Sequence, residues 1–283
     1  MSYQDRIAAI SHALELDKGR SERYFGCKPF MVPDRERIVD IIKLFQSIMF
    51  PEHYKGRGTE NEKLERLFEL LKAQLTSAFS FRDTDGVVDT EELALDIMEC
   101  IPNIRRLLVK DARAIYEGDP AAISPEEVIL SYPGFLAICV YRIAHELYLR
   151  HIPYIPRVMT EYAHERTGID IHAGATVGEY FFIDHGTGIV IGETTVIGDR
   201  VKLYQGVTLG AKSFEVGEDG NPIKGVKRHP NIGNGCIIYA NATILGGNTY
   251  IGDGSVIGGN VWLTHSVEPG STVIFDGTTS RKK

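Results

Sequence analysis

Two short stretches carry residue types that could do acid–base chemistry on a small polar substrate. One is Asp184–His185, in FIDHGTGIVIG. The other is Arg228–His229, in KRHPN. A third carboxylate, Asp170 in GIDIH, lies 15 residues before His185. A carboxylate bonded to one imidazole nitrogen fixes the tautomer and leaves the other nitrogen free as a base. Imidazole titrates near pH 6.5, which suits general-base work at neutral pH. None of the four cysteines (Cys27, Cys100, Cys139, Cys236) stands in a CxxC pair or beside these residues. The chemistry on offer is therefore proton abstraction; on the period alone Arg228–His229 fits a solvated loop equally well.

The elements that must hold these residues follow from a repeat. From Ile169 onward an aliphatic residue recurs every six positions: Ile171, Val177, Ile183; Ile191, Ile197, Leu203, Leu209; Ile232, Ile238, Ile244; Ile251, Ile257, Leu263. Four positions later comes a smaller or β-branched residue, such as Ala175, Thr195, Val207, Cys236 or Ser255. Six fits neither a helix nor an alternating strand. It predicts a parallel β-helix in which three hexads make one coil. Cys236 then faces inward as a small core residue.

Three breaks disturb the period: 8 positions from Ile183 to Ile191, 23 from Leu209 to Ile232, and one extra residue at Gly246–Gly247. The first coincides with Asp184–His185 and the second ends at Arg228–His229. Loops thrown from a rigid solenoid are common places for binding function. With about 18 residues per coil, Asp170 and His185 are expected to be stacked neighbours.

Ahead of Gly168 the pattern is helical. TENEKLERLFELLKAQL sets Leu64, Leu67, Phe68, Leu71 and Leu75 on one face, and Thr59 with Glu62 forms a capping-box signature. Asp89 with Glu92 opens a second helix, and IRRLLVKDARAIYEGDP and YPGFLAICVYRIAHELYLR give two more. FRDTDGVVDTEE partly matches a calcium loop, but Phe81 stands where the first ligand belongs, so an inter-helix loop is expected.

The chain thus divides into an N-terminal α-helical domain (1–168), a left-handed β-helix (169–274) with an extruded loop (211–231), and a short tail (275–283): an α+β, two-part architecture. The net charge of −7 disfavours a nucleic-acid partner. No run of 18 apolar residues suggests a membrane span, and the N-terminus lacks a secretion pattern. With scattered thiols, a cytoplasmic setting is expected. Close-spaced histidine pairs are missing from the repeat, so no metal is expected.

The combination of DIH, DHGTGIVIGET, QGVTLG and RHP resembles the serine acetyltransferase family, over most of the chain. The resemblance implies transfer of acetyl from acetyl-CoA to the L-serine hydroxyl, giving O-acetyl-L-serine, without an acyl-enzyme. It implies His185 as general base, held by Asp170. Asp184 and Asp119 (in EGDPA) would hold the serine amino group, and Arg228 and His229 its carboxylate. Gly210, Ala211 and Ala240 would run along the pantetheine arm of CoA. It further implies sites between neighbouring β-helices, hence a homotrimer or dimer of trimers. Many relatives end in an Ile-terminated tail that docks into cysteine synthase. This chain stops at FDGTTSRKK, so a stable cysteine-synthase complex is not expected. The alternative is a hexapeptide-repeat O-acetyltransferase acting on another hydroxyl acceptor.

Overall fold

The computed structural model describes residues 2–25, 32–82, 88–213, 216–218 and 220–275. Cys27, the Asp83–Asp85–Gly86 part of the calcium-like stretch and the tail from 276 lie outside them. Eight helices stand among the described residues: α1 (Tyr3–Phe25), α2 (Arg35–Met49), α3 (Glu60–Arg82), α4 (Thr90–Glu99), α5 (Ile101–Gly118), α6 (Pro125–Ser131), α7 (Pro133–Leu149) and α8 (Ile155–Thr167). The capping box opens α3 as expected. The Thr59 N–H donates to Glu62 Oε2 at 2.7 Å and the Glu62 N–H to Thr59 Oγ1 at 3.3 Å. Asp89 caps α4 by accepting from the Glu91 and Glu92 N–H groups. Gly168, left-handed at φ 69°, ends α8 and turns the chain into the repeat. No single described helix is long and apolar enough to cross a membrane; α6 and α7 together reach that apolarity only across a 76° bend.

The repeat winds as five coils. The first holds β1 (Asp170–Ile171), β2 (Thr176–Val177) and β3 (Phe182–Ile183). The second holds β4 (Val190–Ile191), β5 (Val196–Ile197) and β6 (Lys202–Leu203). The third holds β7 (Thr208–Gly210), β8 (Asn231–Ile232) and β9 (Ile237–Ile238). The fourth holds β10 (Thr243–Leu245), β11 (Tyr250–Ile251) and β12 (Val256–Ile257), and the last β13 (Trp262–Leu263) and β14 (Thr272–Val273). Each strand pairs in parallel with the equivalent strand of the next coil, so three sheets form the faces of a prism. In the first sheet Ile191 lies over Leu209, and Leu209 over Ile244. Every aliphatic of the six-residue series is buried, and so are Ala175, Thr195, Val207, Cys236 and Ser255. The inward stack is thus the aliphatic ladder that the period demands.

Helices and prism share one continuous buried cluster, from Ile38 to Leu263. Polar contacts reinforce the junction through α7. The Tyr141 hydroxyl donates to the Ala175 carbonyl at 2.6 Å, Arg142 Nη2 to the Gly178 carbonyl at 2.8 Å, and His145 Nδ1 meets the Ala173 carbonyl at 2.7 Å. Asp111 of α5 is fully buried. Its carboxylate takes Arg142 Nε at 2.5 Å and Nη2 at 2.9 Å, and it also accepts the Phe181 N–H at 2.9 Å. One buried ion pair therefore pins α5, α7 and the first coil together. On the surface beside it, Arg106 and Lys110 of α5 both reach Glu179.

Candidate active site

The two-residue slip becomes the turn from β3 to β4, at the corner joining the third sheet to the first. His185, Gly186 and Gly188 all take positive φ there (54°, 79° and 82°). A left-handed backbone is unusual for a residue with a Cβ. Its effect is to lift the imidazole off the prism: the His185 side chain is 71% exposed, while Phe182 and Ile189 on either side of the turn are buried. Asp184 caps the turn, accepting the His185 N–H at 2.8 Å, and its Oδ1 stands 3.7 Å from His185 Nδ1.

Helix α5 ends at this same corner. Asp119, its C-cap residue, accepts the Tyr132 hydroxyl at 2.7 Å and the Ala121 N–H at 2.8 Å. These bonds, the Tyr132 one first, hold the Asp119 carboxyl below the usual carboxylate range, with His185 adding a smaller electrostatic contribution. Asp184 in turn acts on Tyr132 and Tyr204. Tyr204 stacks on Tyr239 and meets Phe182 edge-on. An exposed imidazole between carboxylates, walled by aromatic rings, can take a proton from a small hydroxyl compound whose ammonium the carboxylates hold. Tyr132 escaped sequence reasoning, because a tyrosine at the junction of two helices carries no periodic signal.

The register of Asp170 differs from a simple count of one coil. Its register partner is Val190, not His185. The slip inserts its residues ahead of β4, so a count of one coil overshoots His185. Asp170 opens the first sheet beside the corner, and no hydrogen bond joins it to His185 among the described residues.

Arg228 and His229 occupy a different corner, between the first and second sheets. The extruded loop folds over there and re-enters at β8. Arg228 Nη2 pairs with Glu193 Oε2 at 2.5 Å, and Glu193 also accepts the Tyr148 hydroxyl at 3.0 Å. Thr194 organises the rest. Its Oγ1 accepts the N–H of Arg228 (3.0 Å) and of His229 (3.1 Å), and its own N–H donates to His229 Nδ1 at 3.1 Å. That bond makes Nδ1 the acceptor, so the ring proton sits on Nε2. Lys227 Nζ bonds the Thr194 carbonyl and Asn231 Oδ1.

Two glycines make this return possible. A Cβ on Gly192 would fall 2.1 Å from His229 Cδ2, and one on Gly247 would fall 2.6 Å from the Lys227 carbonyl oxygen. The third break in the repeat, at Gly246–Gly247, is thus where the loop backbone crosses the coil. Beside the crossing lies a cavity of about 280 Å³ walled by Lys212, Lys227, Asn248 and Thr264. Gly210 and Ala211 lead into it from the end of β7, whereas Ala240 lies in the turn before β10, at the opposite edge of the first sheet.

Burial, then the neighbouring Arg228 charge, lowers the His229 pKa to about 4. A histidine with a depressed folded pKa contributes stability above its unfolded value, near 6.5, that is lost as pH falls through the folded one. His229 is therefore expected to stay neutral at pH 6 and to protonate only near pH 4. Imidazole ¹⁵N shifts followed through an acid titration check this; a midpoint near 6.5 would refute it.

A prism of six-residue repeats with a histidine lifted out at a corner defines a hexapeptide-repeat acyltransferase with a left-handed parallel β-helix. Comparisons with known proteins narrow the class. No family model matches the chain. The plasmid serine acetyltransferase of Synechococcus elongatus is 44% identical over 262 residues, covering 86% of this chain and 82% of that protein. The Bacillus subtilis serine acetyltransferase is 45% identical over 169 residues, 60% of this chain and 73% of that protein. Among solved structures, serine acetyltransferase 1 of Entamoeba histolytica in complex with L-cysteine superposes with a TM-score of 0.73 at 39% identity, covering 83% of this chain and 86% of that one. Soybean serine acetyltransferase complexed with serine gives 0.58 at 29% identity, over 87% and 98%. The chain belongs to the serine acetyltransferase family.

Proposed function

We propose that the chain, a serine O-acetyltransferase using acetyl-CoA, works by direct transfer within a ternary complex. The His185 imidazole removes the proton from the L-serine hydroxyl as that oxygen attacks the thioester carbonyl. The C–S bond then breaks, and the thiolate of CoA takes the proton back from His185. Asp119 and Asp184 hold the serine ammonium, and Asp170 orients the imidazole once His185 turns from Asp184 toward β1. Arg228 and His229 bind the serine carboxylate, with Arg228 exchanging Glu193 for it. Gly210, Ala211 and Ala240 flank the pantetheine arm. The cellular setting is cytoplasmic.

The observation that supports this reading is the separation of the two clusters. Asp119, Asp184 and His185 crowd one corner of the prism; Arg228 and His229 crowd another. A serine contacting both sets needs a second copy, whose Arg228 corner faces the first copy's His185 corner. A cyclic trimer, alone or doubled into a hexamer, provides three such seams.

Mixing tests it. His185→Ala and Arg228→Ala subunits, each inactive alone, are co-expressed with different affinity tags and the mixed assembly is isolated. A purified mixed trimer has roughly one third of its seams with both corners intact, and randomly doubled trimers roughly one quarter. Activity recovered to that level supports the composite site; none recovered places both clusters in one subunit's site.

A further inference from the structure

Away from the seam, the helical part holds a cavity of about 380 Å³ between α2, the segment after it and the first turns of α3. That size lies within the range of small-molecule sites, roughly 300–1,000 Å³. Lys43, Lys55, Arg57 and Arg66 line it, against Asp40 as its one carboxylate among the described residues. Asp40 is already engaged by Arg37 at 3.6 Å and Lys43 at 4.0 Å. Lys55, Arg57 and Arg66 form no ion pair with a described residue. His53, also in the wall, carries a buried ring nitrogen, Nδ1, without a hydrogen-bond partner among the described residues. A buried polar atom without a partner is rare in folded proteins and calls for an explanation. In a chain of net charge −7, like charges gathered around an unpartnered buried nitrogen run against the overall balance.

We propose that this cavity binds a small phosphorylated molecule, with the guanidinium groups of Arg57 and Arg66 clamping the phosphate and Lys43 and Lys55 completing its charge. Guanidinium forks match phosphate oxygens in a bidentate way that point charges cannot. The volume exceeds what a bare phosphate fills, which favours an ester over the free ion.

The test is equilibrium dialysis of the intact protein with radiolabelled inorganic phosphate and, separately, glycerol 3-phosphate. Both are run at constant ionic strength with saturating CoA, so that the acetyl-donor site is occupied. The expected result is one saturable site per chain, tighter for the ester. In the Arg57→Gln/Arg66→Gln double variant the affinity falls about 10-fold or more, while acetyl transfer and the thermal midpoint stay unchanged. Equal affinity for the two probes identifies the free anion as the ligand. Absence of saturable binding, or equal binding by the double variant, overturns the proposal. If the double variant loses its thermal midpoint, Lys55→Gln, on the exposed rim, replaces it, and unaltered affinity there overturns the proposal equally.

Discussion

Replacing His185 by alanine is expected to lower kcat for acetyl transfer to L-serine by about 10²–10⁴-fold, the usual contribution of a positioned general base. The fold should survive, because the side chain is 71% exposed and the residues that pack the turn, Phe182, Ile183 and Ile189, are untouched. The backbone at φ 54° is no easier for alanine than for histidine, so a small loss of stability accompanies the change. KM for acetyl-CoA should move little, since in the proposed mechanism the imidazole acts on the acceptor. Initial rates from CoA thiol release, with a sizing run to show the assembly intact, check both halves. Turnover within a few-fold of the parent would remove His185 from the mechanism.

The second large effect concerns stability. Asp111→Ala or Arg142→Ala alone should destabilise the fold by about 3–5 kcal/mol, the range for stranding one charge of a buried pair. Arg142 is 5% exposed and Asp111 fully buried, so neither orphaned charge reaches water. The loss goes beyond the pair, since Asp111 also takes the Phe181 N–H and Arg142 the Gly178 carbonyl. The double variant should lose much less than the sum of the two singles, because it leaves no unpaired charge behind. Urea unfolding followed by circular dichroism measures this; additive losses would mean that the two residues act independently.

Much of the fold was legible in the residues. The six-residue period, with Gly or a small residue at fixed offsets, foretold the strands from β1 to β13, though not β14, because inward burial admits one aliphatic per side of the prism. The capping box at Thr59 and the cap at Asp89 are local chemistry, and local chemistry survives folding. The slip at Asp184–His185 marked the lifted histidine for the same reason. Long-range register was another matter. Counting one coil of 18 from Asp170 does not land on its register partner, Val190, because inserted residues shift every count that passes through them. The placing of Arg228 and His229 at a separate corner depends on which side of the prism each break falls, and a one-dimensional spacing does not say this. Nor does a spacing reveal that Gly192 and Gly247 are small to let a loop cross, or that Asp111 and Arg142, 31 residues apart, meet.

The contacts of α7 with the first coil have a consequence for how the repeat begins. Stacked coils satisfy one another's peptide groups, but the first coil has no coil before it. Its outward carbonyls, at Ala173, Ala175 and Gly178, are taken by His145, Tyr141 and Arg142. The helix thus serves as a lid on an open ladder, supplying side-chain partners where another strand would otherwise add. An uncovered row of this kind is a template for end-to-end growth between molecules. In this light the helical part is what makes the repeat finite at its start.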